Sequence, residues 1–148
     1  MTPSEQTNML KMISVIYRKT QMYLTDALSP YGLTSGLATF VMITCEHGAM
    51  VQNQFCELLD MSKGTVAKSL AKLEELGYVL RAGSSKDARS IVVRPTQKAI
   101  SLYPAIKRAG DVWTKQLADG LSPDEQESLF RLLDKSTRSA CAYFDRRE

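Results

Sequence analysis

The sequence predicts a mainly α-helical fold carrying one small β-hairpin. Apolar residues recur at three- and four-residue steps through each long segment, serine or threonine stands where several of these segments begin, and one pair of short β-branched stretches flanks a Gly/Ser-rich basic loop.

The first helix is expected over residues 5–30. Met9, Met12, Ile13, Ile16, Tyr17, Tyr23, Leu24 and Leu28 fall mostly on one face of it, until Pro30 and Gly32 break the pattern. Thr34 or Ser35 can cap a short, largely buried second helix through Leu37, Phe40, Val41 and Ile43, which Gly48 stops. Residues 51–59 and 62–76 then read as two helices joined by a tight turn. Ser62 is placed to cap the second of these, whose buried stripe is Val66, Leu70, Leu73 and Leu76, with Lys63, Lys68 and Lys72 pointing elsewhere. Gly77 is expected to end that helix in the left-handed conformation.

Residues 78–81 and 90–94 have the character of two strands, and the Gly, Ser and charged residues between them make a hairpin with a basic tip. Helix, tight turn, helix and basic hairpin, over residues 35–95, form a winged helix-turn-helix, a fold-level signal for DNA binding. A connecting helix follows over 96–120, where Pro104 predicts a bend or an early break. Ser122, Pro123, Asp124 and Glu125 announce the last helix, 123–146, whose stripe includes Leu129, Phe130, Leu132, Leu133, Cys141 and Phe144. Long amphipathic helices at both ends of the chain are expected to form a dimerisation layer. The alternative is that they pack only against each other within one subunit.

With 148 residues, 44% of them hydrophobic and 24% charged, one structural unit covering residues 1–148 is expected. The formal net charge is only +3, yet residues 62–98 hold eight basic residues against three acids, a local excess of +5. Cys45, Cys56 and Cys141 are too few and too widely spaced for a disulfide scaffold or a metal knuckle. Cys45 and Cys56 read as core residues, and Cys141 as the more reachable thiol, equally suited to interface packing. The start of the chain lacks the pattern of a secretion signal and no apolar run approaches a membrane span, so a cytoplasmic protein without a membrane partner is expected.

Nothing in the sequence favours an enzyme. It has a single histidine, His47, read as a surface-loop residue, and no phosphate-binding glycine loop, HExxH or nucleophile elbow. No catalytic residue, metal or cofactor is expected. A winged-helix adaptor for other proteins, without specific DNA binding, is the second alternative, to which Lys63, Lys68, Lys72 and Arg89 are opposed.

Read together, these residues resemble the MarR family of bacterial regulators over nearly the whole chain. Residues 28–34, LSPYGLT, are similar to the family's LxxxGLT pattern before helix two. MSKGTV at 61–66 and LEELGYV at 73–79 are similar to its recognition helix, while Arg81, Asp87 and Arg89 fit its wing signature and Val93 and Thr96 stand where the hairpin closes. Ala67, Ala88, Ala99 and Gly36 depart from the family's usual residues.

The resemblance implies a homodimer that sets two recognition helices into successive major grooves of an inverted-repeat operator, usually as a repressor. DNA contacts are expected from Ser62, Lys63, Gly64, Thr65, Lys68 and Lys72 on the helix and from Arg81, Ser84, Lys86 and Arg89 of the wing, with Asp87 as wing support. It further implies release by a small aromatic or phenolic effector, or alternatively by cysteine oxidation. Met12, Tyr17, Arg18 and Met42 are the residues expected to line an effector pocket. Lys98, Lys107 and Arg108 read as solvated surface charges.

Overall fold

The computed structural model describes residues 1–83 and 88–146. It contains helices α1 (Pro3–Leu28), α2 (Ser35–His47), α3 (Gln54–Leu59), α4 (Lys63–Glu75), α5 (Gln97–Leu117) and α6 (Pro123–Asp145), and strands β1 (Met50–Val51), β2 (Val79–Ala82) and β3 (Val92–Pro95). No single helix among the described residues is long and apolar enough to cross a membrane. The chain divides into two compact units, Met1–Trp113 and Thr114–Glu148.

Local signals set the helix ends. The Thr34 hydroxyl accepts from Leu37 N at the start of α2, and Ser62 accepts from Thr65 N at the start of α4. Gly77 takes φ +83 just past α4, the left-handed stop expected of it. Leu28, Phe40, Phe55, Leu70, Tyr78 and Val93 are among the fully buried side chains of the first unit, with Phe40 and Phe55 stacked at 5.5 Å between ring centroids. Thr44 is buried with them, and its hydroxyl is satisfied by donating to Phe40 O at 2.7 Å.

Two expectations change. The hairpin gains a third strand: β1 pairs with β3 (Met50↔Val93, Val51↔Val92) in an antiparallel sheet of order β1-β3-β2. Val51, expected to open a helix, is therefore extended, and α3 starts only at Gln54. The reason is tertiary, because the outer edge of β3 requires backbone partners that β1 and the Gln52 amide supply, the latter donating to Ile91 O at 2.8 Å. Helix α5 continues through Pro104 without a break. Pro104 is exposed while Ala99, Leu102 and Ile106 are buried, so packing on the inner face offsets the one backbone hydrogen bond that the proline removes.

In the first unit the leading residues of α1 are exposed as far as Lys19, including Leu10, Met12, Ile13, Ile16 and Tyr17. Near its other end, Tyr23 stacks on Trp113 of α5 at 4.9 Å, and Trp113 Nε1 donates to Thr20 Oγ1 at 2.7 Å. In the second unit, Ser122 and Glu125 form a reciprocal capping box at the start of α6. No described residue of α6 is buried, and Phe130 is 77% exposed.

Candidate nucleic-acid interface

Helix α4 has two unlike faces. Val66, Leu70 and Leu73 are each 0% exposed, which anchors the helix, while Ser62, Lys63, Gly64, Thr65, Lys68 and Lys72 are all exposed. The Ser62 hydroxyl donates to Thr65 Oγ1 at 2.9 Å while also capping the helix, so the two hydroxyls are held together at its N-terminus. That end presents unpaired backbone N–H groups and the positive pole of the helix dipole, both suited to a phosphate.

The lysines differ in engagement. Lys63 and Lys68 make no hydrogen bond or ion pair with any described residue, whereas Lys72 pairs with Glu75 at 3.6 Å on the open surface. An exposed pair of that kind contributes little and is easily exchanged for a phosphate. At Gly64 a Cβ would meet nothing within 4 Å. Packing inside the protein therefore does not require glycine there, although glycine inside a helix is unfavourable.

Arg81 stands apart from the other basic positions. In the strand register it lies opposite buried Val93, which turns its side chain to the inner face of the sheet. Its guanidinium donates to Glu74 Oε1 and to Gln52 Oε1, each at 3.3 Å, and its backbone N–H donates to Glu74 Oε2 at 3.0 Å. Gln52 is itself only 4% exposed. Helix α4, strand β2 and the turn before α3 thus meet on one guanidinium, whose Nε is buried without a hydrogen-bond partner among the described residues.

At the neck of the wing, Gly83 has φ +132, and a Cβ there would lie 2.6 Å from Ser90 O, so the chain can narrow here only with glycine. Arg89 is exposed within a one-turn 3-10 helix, Ala88–Ser90. Ser84, Lys86 and Asp87, the other wing positions expected to contact or support contact with DNA, lie outside the described residues.

The residues expected to form an effector pocket are dispersed. Met12 and Tyr17 are exposed on α1, Arg18 Nη1 donates to Ser14 Oγ at 2.6 Å, and Met42 packs against the core. A different cleft, of about 260 Å³, is lined by Tyr23, Leu28, Tyr31, Ala105, Arg108 and Val112, among others. Arg108 has no hydrogen-bond or ion-pair partner among the described residues. Sequence periodicity gave no sign of this cleft, because its walls come from segments some eighty residues apart.

His47 is the last residue of α2 and not a loop residue, with Nδ1 3.1 Å from Ile43 O. Tyr103 donates to Glu46 Oε1 at 2.8 Å, a bond that raises the phenol's pKa above its ordinary value by favouring the neutral form. All three cysteines are half-buried, and burial followed by the nearby Glu46 charge pushes the Cys45 thiol up, away from thiolate chemistry. Lys107 forms an exposed i,i+4 pair with Asp111 at 3.3 Å, and Lys98 is not simply solvated.

Residues 40–99 match the family described as winged helix DNA-binding domain. The chain is 23% identical to the HTH-type transcriptional regulator YybA of Bacillus subtilis over 86% of this chain and 85% of that protein. It is also similar to the crystal structure of a MarR transcriptional regulator from Methanosarcina mazei, with TM-score 0.81, 28% identity and coverage of 91% of this chain and 90% of that one. A MarR family regulator from Listeria monocytogenes, crystallised with a 26mer DNA, superimposes with TM-score 0.81 at 21% identity, covering 90% and 89% of the two chains.

Proposed function

We propose that this chain is a MarR-type transcriptional regulator with a DNA-binding winged helix, working as a cytoplasmic homodimeric repressor of an inverted-repeat operator. The observation that carries this reading is the two-faced helix α4. Its buried stripe leaves Ser62, Lys63, Gly64, Thr65 and Lys68 on one exposed surface at the dipole-positive end. Lys72 reaches phosphate, and Arg89, with Ser84 and Lys86, approaches the adjacent minor groove or its phosphates, Asp87 supporting the wing. Arg81 serves the interface mainly by holding the wing strand to α4 through Glu74. The Listeria regulator crystallised with DNA supports the same use of the fold.

The apolar surface at the ends of the chain supports an assembly of two copies. Leu10, Ile13 and Ile16 on α1, and Phe130, Leu133 and Phe144 on α6, are all exposed in the single chain. Apolar area on that scale is covered by a second copy in a C2 dimer, with recognition helices about one DNA turn apart.

Release by a small aromatic or phenolic anion fits the cleft of Tyr23, Tyr31 and Arg108 better than the dispersed set of Met12, Tyr17, Arg18 and Met42. The cleft offers rings for stacking and an unpaired guanidinium for a carboxylate.

The test is binding of the purified protein to its own upstream DNA and to a scrambled duplex over a salt series, for wild type, Lys68→Ala and Arg89→Ala. Wild type is expected to prefer its own promoter, and each variant to bind more weakly with a salt slope shallower by about one. Weak binding, equal on both duplexes and indifferent to both substitutions, would replace this reading with that of a protein-protein adaptor.

A further inference from the structure

Lys98 lies in the first turn of α5, outside every group assigned to DNA above. Its Nζ donates to Leu76 O at 2.7 Å and lies 4.5 Å from the centroid of the Tyr78 ring. Leu76 is the C-cap residue of α4, where carbonyls lack intrahelical donors and carry the negative end of the helix dipole. An ammonium there satisfies a carbonyl, opposes the dipole and sits over an aromatic face at once.

The adjoining contacts extend the same grip. Thr96 Oγ1 donates to Gly77 O at 2.6 Å and Thr96 N donates to Tyr78 O at 3.1 Å. Three successive carbonyls, of Leu76, Gly77 and Tyr78, are therefore taken by two residues leading into α5. The Tyr78 ring under the ammonium is buried, and its hydroxyl is fixed by donating to Tyr31 O at 2.6 Å, so the grip rests on a side chain that does not move freely.

We infer that Lys98 is a positioning residue for DNA recognition: with Thr96 it clasps the C-terminal turn of α4 and sets the angle at which the opposite end meets the major groove. The inference rests on α4 being the DNA-reading helix. Mechanically the lever is long. At about 1.5 Å rise per residue, the clasp lies about 20 Å from Ser62, so a tilt of about 5° moves the reading end by almost 2 Å. A displacement of that size breaks hydrogen bonds to bases and phosphates.

Lys98→Met keeps the length of the stem and removes the charge, and Lys98→Arg restores a cation able to donate and to stack. Two measurements test them. One is hydrogen exchange of the amides over residues 73–80. The other is affinity over a salt series for a duplex selected by the wild-type protein from a random pool. In Lys98→Met the amides are expected to exchange about fivefold faster and affinity to fall about fivefold with the salt slope unchanged, both recovering in Lys98→Arg.

A slope shallower by about one would instead mean that Lys98 itself meets a phosphate, and unchanged exchange in Lys98→Met would show that it clasps nothing; either result overturns the inference. Wild-type selection of a duplex that Lys98→Met binds equally well overturns it alone. Failure of the wild type to select any duplex removes the regulator reading and this inference with it.

Discussion

Glu74 holds Arg81 twice, Oε2 accepting the backbone N–H at 3.0 Å and Oε1 accepting the guanidinium at 3.3 Å. One carboxylate on α4 thereby fixes both the path of β2 and the direction of its arginine. The pair is partly shielded, with side-chain exposures of 22% for Arg81 and 39% for Glu74. Charge-assisted hydrogen bonds in such a setting contribute more than an open surface pair, yet remain screened by solvent.

A double-mutant cycle of Glu74→Gln and Arg81→Met is expected to give a coupling of about 1 kcal/mol in stability. Each single variant is expected to weaken DNA binding without shortening α4, as read by circular dichroism. Additive effects would mean that wing and helix are held by the backbone ladder alone.

Gly64→Ala separates stability from recognition. The new Cβ meets no protein atom within 4 Å, so the variant is expected to be about 0.5–1 kcal/mol more stable, from improved helix propensity. DNA affinity is expected to fall, because in the proposed interface the methyl group would stand in the path of a DNA backbone. A stabilised variant with unchanged affinity would remove Gly64 from the interface.

Leu70→Ala deletes a side chain that is 0% exposed at the centre of the stripe anchoring α4. A loss of about 2–5 kcal/mol is expected in chemical denaturation, large enough to threaten the fold of a domain of this size. A loss below 1 kcal/mol would show that the helix is not seated on this stripe.

Burial first, and then the neighbouring Tyr31, raise the Tyr78 phenol above the ordinary tyrosine value of 10.0. A raised pKa means that the fold favours the neutral form. The stability this contributes is complete below the unfolded value and is lost as pH rises through the folded one. Ultraviolet titration is therefore expected to show two phenols ionising late, those of Tyr78 and Tyr103, with alkaline unfolding, and Tyr78→Phe is expected to remove one of the two from the curve. Its loss of the hydrogen bond to Tyr31 O is expected to cost about 1 kcal/mol at neutral pH.

Trp113 is the single tryptophan and stacks on Tyr23, which lines the cleft beside Arg108. Benzoate, as a one-ring aromatic carboxylate, is expected to change Trp113 fluorescence saturably in wild type and about tenfold more weakly in Arg108→Gln, through loss of the charge-assisted bond. Equal titrations of the two proteins would remove Arg108 from any anion site.

The helices were legible because their signals are local. Ser62 and Ser122 cap the helices they were expected to cap, Thr34 and not Ser35 caps α2, Gly77 stops α4 in the left-handed conformation, and the spacing of Val66, Leu70 and Leu73 marks the face that is buried. Each of these depends on residues within about one or two helical turns, where backbone geometry alone relates one side chain to the next. The two-faced character of α4, and with it the candidate interface, follows from the same spacing.

What tertiary structure decided are relations between distant segments. Met50 and Val51 become a strand only because β3 offers them an edge, and Arg81 turns inward only because its register places it opposite Val93. Lys98 caps a helix that ends more than twenty residues earlier, and Tyr23, Tyr31 and Arg108 enclose a cleft from α1, the turn after it and α5. Helical periodicity states which face of a segment is buried, but not against what. Strand register and helix-helix approach are chosen by the packing of the whole core, and the partners of Arg81, Lys98 and Arg108 were settled there.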